Sequence, residues 1–258
     1  MLDLYPREGK YGHAAVFPFN RRHFSNKLQI LPFAVMACNF NDSGTLEFGE
    51  VETFFHEFGH VMHNICTKAT IGSLAGTSVE RDFVETPSQF FENWCYHYES
   101  LKYLAPNITF DICKKLLKMK KMLNGYHFSR QLVFASVDMY LHTDYNNEDL
   151  FSVYANMYKD ITTLNVLENT NMLASFGHIM GGYDAGYYGY MWSLVYSELL
   201  LSSFKKTHNM MNTELGEKLK KYILAPGGTQ DSSKSMEQYL GRPLNFELDI
   251  EEFIKSIV

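Results

Sequence analysis

The sequence predicts a mainly α-helical fold with a small antiparallel sheet near its N-terminus. Three observations carry that reading. Residues 51–65, VETFFHEFGHVMHNI, form an amphipathic run; apolar residues recur at helical spacing in most segments after residue 79; and the first forty residues hold two β-favouring runs. With 258 residues, 46% hydrophobic and 20% charged, the chain can bury a large core and is composed like a folded protein. We read it as one unit, with residues 1–46 supplying the sheet segment and 47–258 the helices, since no linker or internal repeat divides it.

In chain order, YGHAAVFPF (residues 11–19) and ILPFAVMACNF (residues 30–40) read as strands. The polar, turn-like stretch Asn20–Lys27 separates them, and Asn41-Asp42-Ser43-Gly44 ends the sheet. A helix is expected from about Phe48 to Thr67. At roughly 100° per residue, Val51, Phe54, Phe55, Phe58, Met62 and Ile65 fall within about 60° of one line, a stripe broad enough to pack on a core. His56, Glu57 and His60 lie on the face turned away from it. A loop of small residues, Ala69–Ser78, then leads to a segment that is helical by the spacing of Val79, Phe83, Phe90, Phe91, Trp94, Tyr98 and Leu101. Pro87 interrupts it: either a helix starts there with Thr86 as its cap, or one longer helix kinks. Thr109–Met122, Tyr126–Leu141 (after Asn124-Gly125), Asn147–Ile161, Tyr187–Lys206, Asn212–Leu224 and Ser232–Leu240 read as further helices. Asn165–Gly182 has no clear period, and irregular connections of that length are usually functional.

Composition narrows the function classes. A formal charge of −6 offers no basic field for nucleic acid. No apolar run approaches the ~18 residues of a membrane span, and MLDLYPREGK looks like neither a secretory signal nor a transit peptide. Cys38, Cys66, Cys95 and Cys113 form no C-x-x-C pair, which fits reduced thiols and argues against a cysteine zinc knuckle. The expectation is a cytoplasmic monomer without nucleic-acid or membrane partners.

His56-Glu57-Phe58-Gly59-His60 is the H-E-x-x-H arrangement of zinc peptidases. Imidazoles at i and i+4 stack over one another and can converge on a single ion, while the intervening carboxylate points to the flank. A catalytic zinc needs a third protein ligand and one open position for water. The metzincin extension fails, because His63 stands where it needs glycine and Cys66 where it needs histidine. The alternative is an acid from a second helix about two dozen residues on. Glu80, Asp82 and Glu85 lie in that window, and Glu85 is favoured because it precedes the aromatic FFENW helix, which can pack beside the first. His63 reads as a packing residue, and Glu50 and Glu52 as carboxylates favouring the helix start. In such a site zinc lowers the pKa of its bound water to about 7, and Glu57 would take the proton. Donors for the resulting oxyanion are sought in FGHIMGGYDAGYYGYMW (residues 176–192), where His178, Tyr183, Tyr187, Tyr188 and Tyr190 sit among five glycines. Tyr187 and Tyr190 share a face if a helix begins here; a glycine-rich turn entering an aromatic core helix is the alternative.

HEFGHVMH, VERDFVETPSQFFENW and FGHIMGGYDAGYYGYMW together resemble the thimet oligopeptidase/neurolysin family of zinc peptidases. YPREGKYGHAA (residues 5–15), ILAPGG (223–228) and YLGR (239–242) extend the resemblance over nearly the whole chain. GGYDAGYYGY is closer to the thimet/neurolysin pattern than to that of the family's bacterial dipeptidyl carboxypeptidases. The resemblance implies a zincin-type catalytic lobe with one zinc per chain held by His56, His60 and Glu85. It implies Glu57 as general base acting on zinc-bound water, and His178, Tyr187 and Tyr190 as transition-state and substrate contacts. The implied activity is hydrolysis of internal bonds in short peptides. Members of that family are longer, with a helical N-terminal wall, so the match is expected to cover the C-terminal catalytic portion only. The rival expectation is a shortened, weakly active or inactive fragment that binds zinc and peptides.

Overall fold

The β-favouring residues near the N-terminus pair as expected, with two additions. The computed structural model describes residues 1–25 and 28–257. Its strands are β1 (Leu2–Asp3), β2 (Ala15–Asn20), β3 (His23–Ser25), β4 (Leu28–Ile30) and β5 (Phe33–Ala37). β2 runs antiparallel to β5, with Val16 opposite Met36 and Phe17 opposite Val35. β1 adds in parallel on the other side of β5, so the order β1-β5-β2 leaves β2 at an edge. β3 and β4 pair antiparallel in a separate two-stranded sheet, β3 inside the stretch expected to be a turn and β4 just after it; Asn26 and Lys27 of that stretch lie outside the described residues.

Helix α1 (Phe48–Ile65) begins with a capping box: the Glu47 N–H donates to Glu50 Oε2 at 2.8 Å, while the Glu47 side chain accepts the Glu50 N–H. Phe54, Phe58 and Val61 pack on Met36 of β5 and on Cys38 and Phe40 just beyond it, with the Phe54 and Phe58 rings stacked at 5.7 Å. The wheel misjudges which residues go deepest. Ile65, at the end of the expected stripe, is exposed, whereas Glu57, Gly59, Val61, His63 and Asn64 are buried. The reason is that α1 is covered on two sides: the sheet takes one face and the next helix takes the other.

That helix, α2 (Thr86–Glu92), starts one residue before Pro87, and its N-cap is Glu85 rather than Thr86. Proline in the first turn loses nothing, because N–H groups there have no intrahelical acceptor. It also stops the helix from extending backwards, so residues 81–85 form turns instead and Phe83 enters the main core. A 3-10 turn (Asn93–Tyr96) and α3 (Tyr98–Leu104) follow.

The remaining helices are α4 (Phe110–Met122), α5 (Asn124–Thr143), α6 (Leu150–Thr162), α7 (Gly189–Thr207), α8 (Thr213–Leu219), α9 (Ser232–Leu240) and α10 (Phe246–Ile257). Thr109 caps α4 and Asp149 caps α6 with their side-chain oxygens. The Asn124-Gly125 pair lies inside α5; the break falls at Leu123. Helix α10 lies beyond the elements expected from the sequence, although Phe246, Ile250, Phe253 and Ile257 recur at helical spacing. The main core joins Phe90 of α2, Tyr196, Leu199, Leu200 and Phe204 of α7, Met236 and Tyr239 of α9 and Phe253 of α10. A second cluster joins Val133, Phe134 and Val137 of α5 and Tyr154 of α6 with Phe176 and Tyr187 from the connection between α6 and α7. Among the described residues no helix is long and apolar enough to cross a membrane.

Candidate metal centre

The candidate ligands meet because α1 and α2 touch at backbone distance. A Cβ added at Gly59 would lie 2.6 Å from Ser88 Cα and 2.9 Å from the Pro87 carbonyl oxygen. Only glycine fits there, and the close approach brings the residue just before α2, Glu85, up to the polar face of α1. Glu85 Oε2 lies 3.1 Å from His60 Nε2 and 3.3 Å from His56 Nε2. The two imidazoles meet edge to face with centroids 5.1 Å apart. One ligand atom from each of the three residues lies within 4.8 Å of the other two, a group that could hold a metal ion. The other acids in the window are engaged elsewhere: Glu80 Oε1 accepts the Ser232 N–H at 3.1 Å, and Asp82 Oδ2 accepts the Tyr188 hydroxyl at 2.9 Å.

A buried carboxylate stands only if it is paired and hydrogen-bonded. Glu85 is 4% exposed; its Oε2 accepts the Ser88 hydroxyl at 2.9 Å and its Oε1 the Tyr183 hydroxyl at 2.8 Å. Burial pushes its pKa up, but the His60 charge and the hydrogen bonds to His56 and His60 outweigh burial and hold it well below the usual range. Burial likewise pulls His56 down, while hydrogen bonds to Glu85 and Glu92 outweigh it and raise the imidazole well above its ordinary value. Glu92 Oε1 reaches His56 Nδ1 at 2.6 Å, orienting the ring whose Nε2 faces Glu85. No motif flagged Glu92, but it stands seven residues after Glu85, two turns along α2 and on the same face.

Glu57 is 7% exposed and lines a cleft of about 690 Å³. Burial raises its pKa, and among the described residues no donor bonds its carboxylate. Edge strand β2 contributes Ala15 and Val16 to the cleft; the irregular connection and the start of α7 contribute His178, Tyr183 and Tyr190. Tyr183 stacks on Tyr190 with centroids 4.9 Å apart. Burial lowers the His178 pKa, and burial followed by the Glu85 charge pushes Tyr183 up to about 12.

Tyr187, expected to face substrate, is 6% exposed and does not line the cleft. Its ring packs 5.0 Å from Phe176 and 5.6 Å from Phe134, and its hydroxyl donates to Gln131 at 3.0 Å. A shared face for Tyr187 and Tyr190 requires helix geometry from residue 187, but α7 begins at Gly189. Tyr183, which the spacing argument passed over, occupies the cleft instead. His63 is fully buried and is not one of the three clustered residues; among the described residues neither of its ring nitrogens has a hydrogen-bond partner. Glu50 caps α1, whereas Glu52 accepts the Tyr96 hydroxyl at 2.7 Å.

Residues 1–253 match the profile of Peptidase family M3. The chain belongs to that family. A thimet-like oligopeptidase of Dictyostelium discoideum is 40% identical over 263 residues, covering 95% of this chain and 38% of that M3 relative. Saccharolysin of Saccharomyces cerevisiae is 33% identical over 277 residues, covering 99% of this chain and 38% of its own length. Oligopeptidase A of Escherichia coli is 30% identical over 270 residues, again covering 98% of this chain but 39% of the relative. The chain therefore spans well under half the length of these relatives. Among solved structures, PZ peptidase A with an inhibitor shares the fold at a TM-score of 0.68 and 11% identity, over 99% of this chain and 42% of that one. A Pyrococcus furiosus carboxypeptidase does so at 0.68 and 14% identity, over 100% of this chain and 54% of that one.

Proposed function

We propose that the chain carries the catalytic portion of a zinc-dependent metalloendopeptidase that hydrolyses internal bonds of short oligopeptides. The observation that carries the reading is the single Glu85 oxygen held 3.1 and 3.3 Å from two imidazole nitrogens, beside a Glu57 carboxylate that has no donor among the described residues. Two imidazoles and one carboxylate are a donor set suited to zinc, and three protein ligands leave a position for water. When bound, zinc would polarise the scissile carbonyl and bring the pKa of water to about 7. The chain's own residues supply the rest. Glu57, raised by burial, takes the proton of the attacking water and passes it to the leaving amine, help worth about 10²–10⁴-fold. Tyr190 and His178 face the cleft as donors to the developing oxyanion, each such donor worth about 10²–10³-fold. Tyr183 orients Glu85 through its hydroxyl, and Tyr187 backs His178 at a centroid distance of 5.4 Å.

The unpaired outer edge of β2 suits an extended peptide bound by strand addition. The oligopeptidase names of the relatives support short peptides as substrates. The four thiols, all unpaired, support a reducing, cytoplasmic setting. Glu57→Gln tests the mechanism. The variant should keep stoichiometric zinc while cleaving a quenched fluorogenic peptide at least about a hundredfold more slowly, and chelator should abolish the parent's activity. Unchanged cleavage by the variant refutes the role of Glu57. Stoichiometric zinc without any turnover by the parent would favour a zinc- and peptide-binding role instead.

A further inference from the structure

We propose that Asp138 is a positioning residue that pins the glycine–tyrosine turn to α5 and so holds Tyr183 and Tyr190 at the cleft. Asp138 belongs to no motif and is fully buried in α5. Its Oδ1 accepts the Ala185 N–H at 3.0 Å and its Oδ2 accepts the Tyr187 N–H at 2.9 Å. His142, one turn on, has its Nδ1 2.7 Å from the Asp138 backbone carbonyl oxygen and 3.1 Å from Oδ1. Among the described residues no lysine or arginine pairs with it. A buried carboxylate without such compensation is expensive, and this one is satisfied chiefly by two backbone donors of a single turn.

The turn needs an external grip. Gly181, Gly182 and Gly186 leave it pliable, and Ala185 adopts φ +52°, a left-handed conformation that disfavours an L side chain. The hydrogen bonds donated by Gly181, Tyr183 and Gly186 N–H all stay inside the same segment, accepted by His178 and Tyr183 carbonyls, so they shape the turn without fixing its place. The two carboxylate oxygens of Asp138 hold alternate residues and thereby fix both position and direction. Tyr183 lies two residues before the first anchored N–H, and Tyr190 lies three residues after the second. The grip therefore sets the ring stack and the Tyr183 hydroxyl bond to Glu85.

The anchor itself is independent of any activity; its effect on turnover rests on the peptidase reading above. The test uses the whole zinc-loaded chain. In the parent, the Ala185 and Tyr187 amides should exchange with deuterium at least about tenfold more slowly than Gly182 and Asp184 of the same turn. Equal rates overturn the anchor without any variant. Asp138→Asn keeps the shape but presents an NH₂ group where one N–H needs an acceptor. Exchange at Ala185 and Tyr187 should then accelerate at least about tenfold while α1 amides and zinc stoichiometry stay unchanged. On a fluorogenic peptide kcat should fall about 10²-fold, the effect of roughly 1 Å of misplacement. Faster exchange with unaltered kcat and KM overturns the positioning role. A parent that never cleaves peptide sinks the peptidase reading instead, and the exchange rates still decide the anchor.

Discussion

Gly59→Ala is a perturbation whose consequences can be worked through from distances. On helix propensity alone alanine is favoured over glycine by up to about 1 kcal/mol. Here the new Cβ would sit 2.6 Å from Ser88 Cα, 2.9 Å from the Pro87 oxygen and 3.1 Å from Ser88 N. All three are backbone atoms, so no rotamer change relieves the clash. Restoring ordinary contact at ~3.5–4.0 Å requires α2 to retreat by roughly 1 Å. Overpacking of this kind costs about 1–3 kcal/mol, which leaves a net destabilisation of about 0–2 kcal/mol after the propensity gain. The larger effect falls on the site. Glu85 sits immediately before α2, so the retreat draws its carboxylate away from His56 and His60, now at 3.3 and 3.1 Å. Zinc affinity, measured by competition with a chromophoric chelator, should fall about 10–100-fold, the range seen when ligand support is lost. Gly49→Ala is the matched control: it lies in the same helix and its Cβ would meet nothing within 4 Å, so stability should not fall and zinc binding should not change. If Gly59→Ala binds zinc as tightly as the parent, the claim that this contact places Glu85 is wrong.

Two further outcomes follow from the same geometry. His63 is fully buried, and burial, with the His60 charge adding to it, pulls its imidazole down to about 3. The unfolded chain protonates it near 6.5, so between those values the unfolded state binds the extra proton and stability drops as pH falls, by up to about 1.4 kcal/mol per pH unit. His63→Leu should flatten that dependence in urea melts of the metal-free chain at about pH 5 and about pH 7, and an equally acid-sensitive variant would contradict it. Glu92→Gln removes the charge that orients His56 at 2.6 Å and should weaken zinc binding about 10–100-fold with KM little altered; unchanged affinity in equilibrium dialysis would exclude an orienting role.

Local sequence determined the helices and the one-turn spacing of His56 and His60, because both depend on residues within a few positions of one another. It also marked the start at Thr109, where the side chain caps its own helix. Even α10 was legible in its apolar repeat. Three acids stand in the window after α1, and local sequence favours Glu85 among them only by its place before the aromatic FFENW helix. The α1–α2 contact at Gly59 put Glu85 beside the imidazoles, while Ser232 and Tyr188 drew Glu80 and Asp82 elsewhere. Likewise, sequence placed four tyrosines together, but packing against Phe134 and Phe176 sent Tyr187 inward and left Tyr183 in the cleft. Periodicity tells which side chains share a face; only the folded chain decides what covers that face. The contacts that assemble this centre join residues far apart in the chain, such as His60 with Glu85 and Asp138 with Tyr187, and those are settled by packing between elements rather than by conformational preference within one.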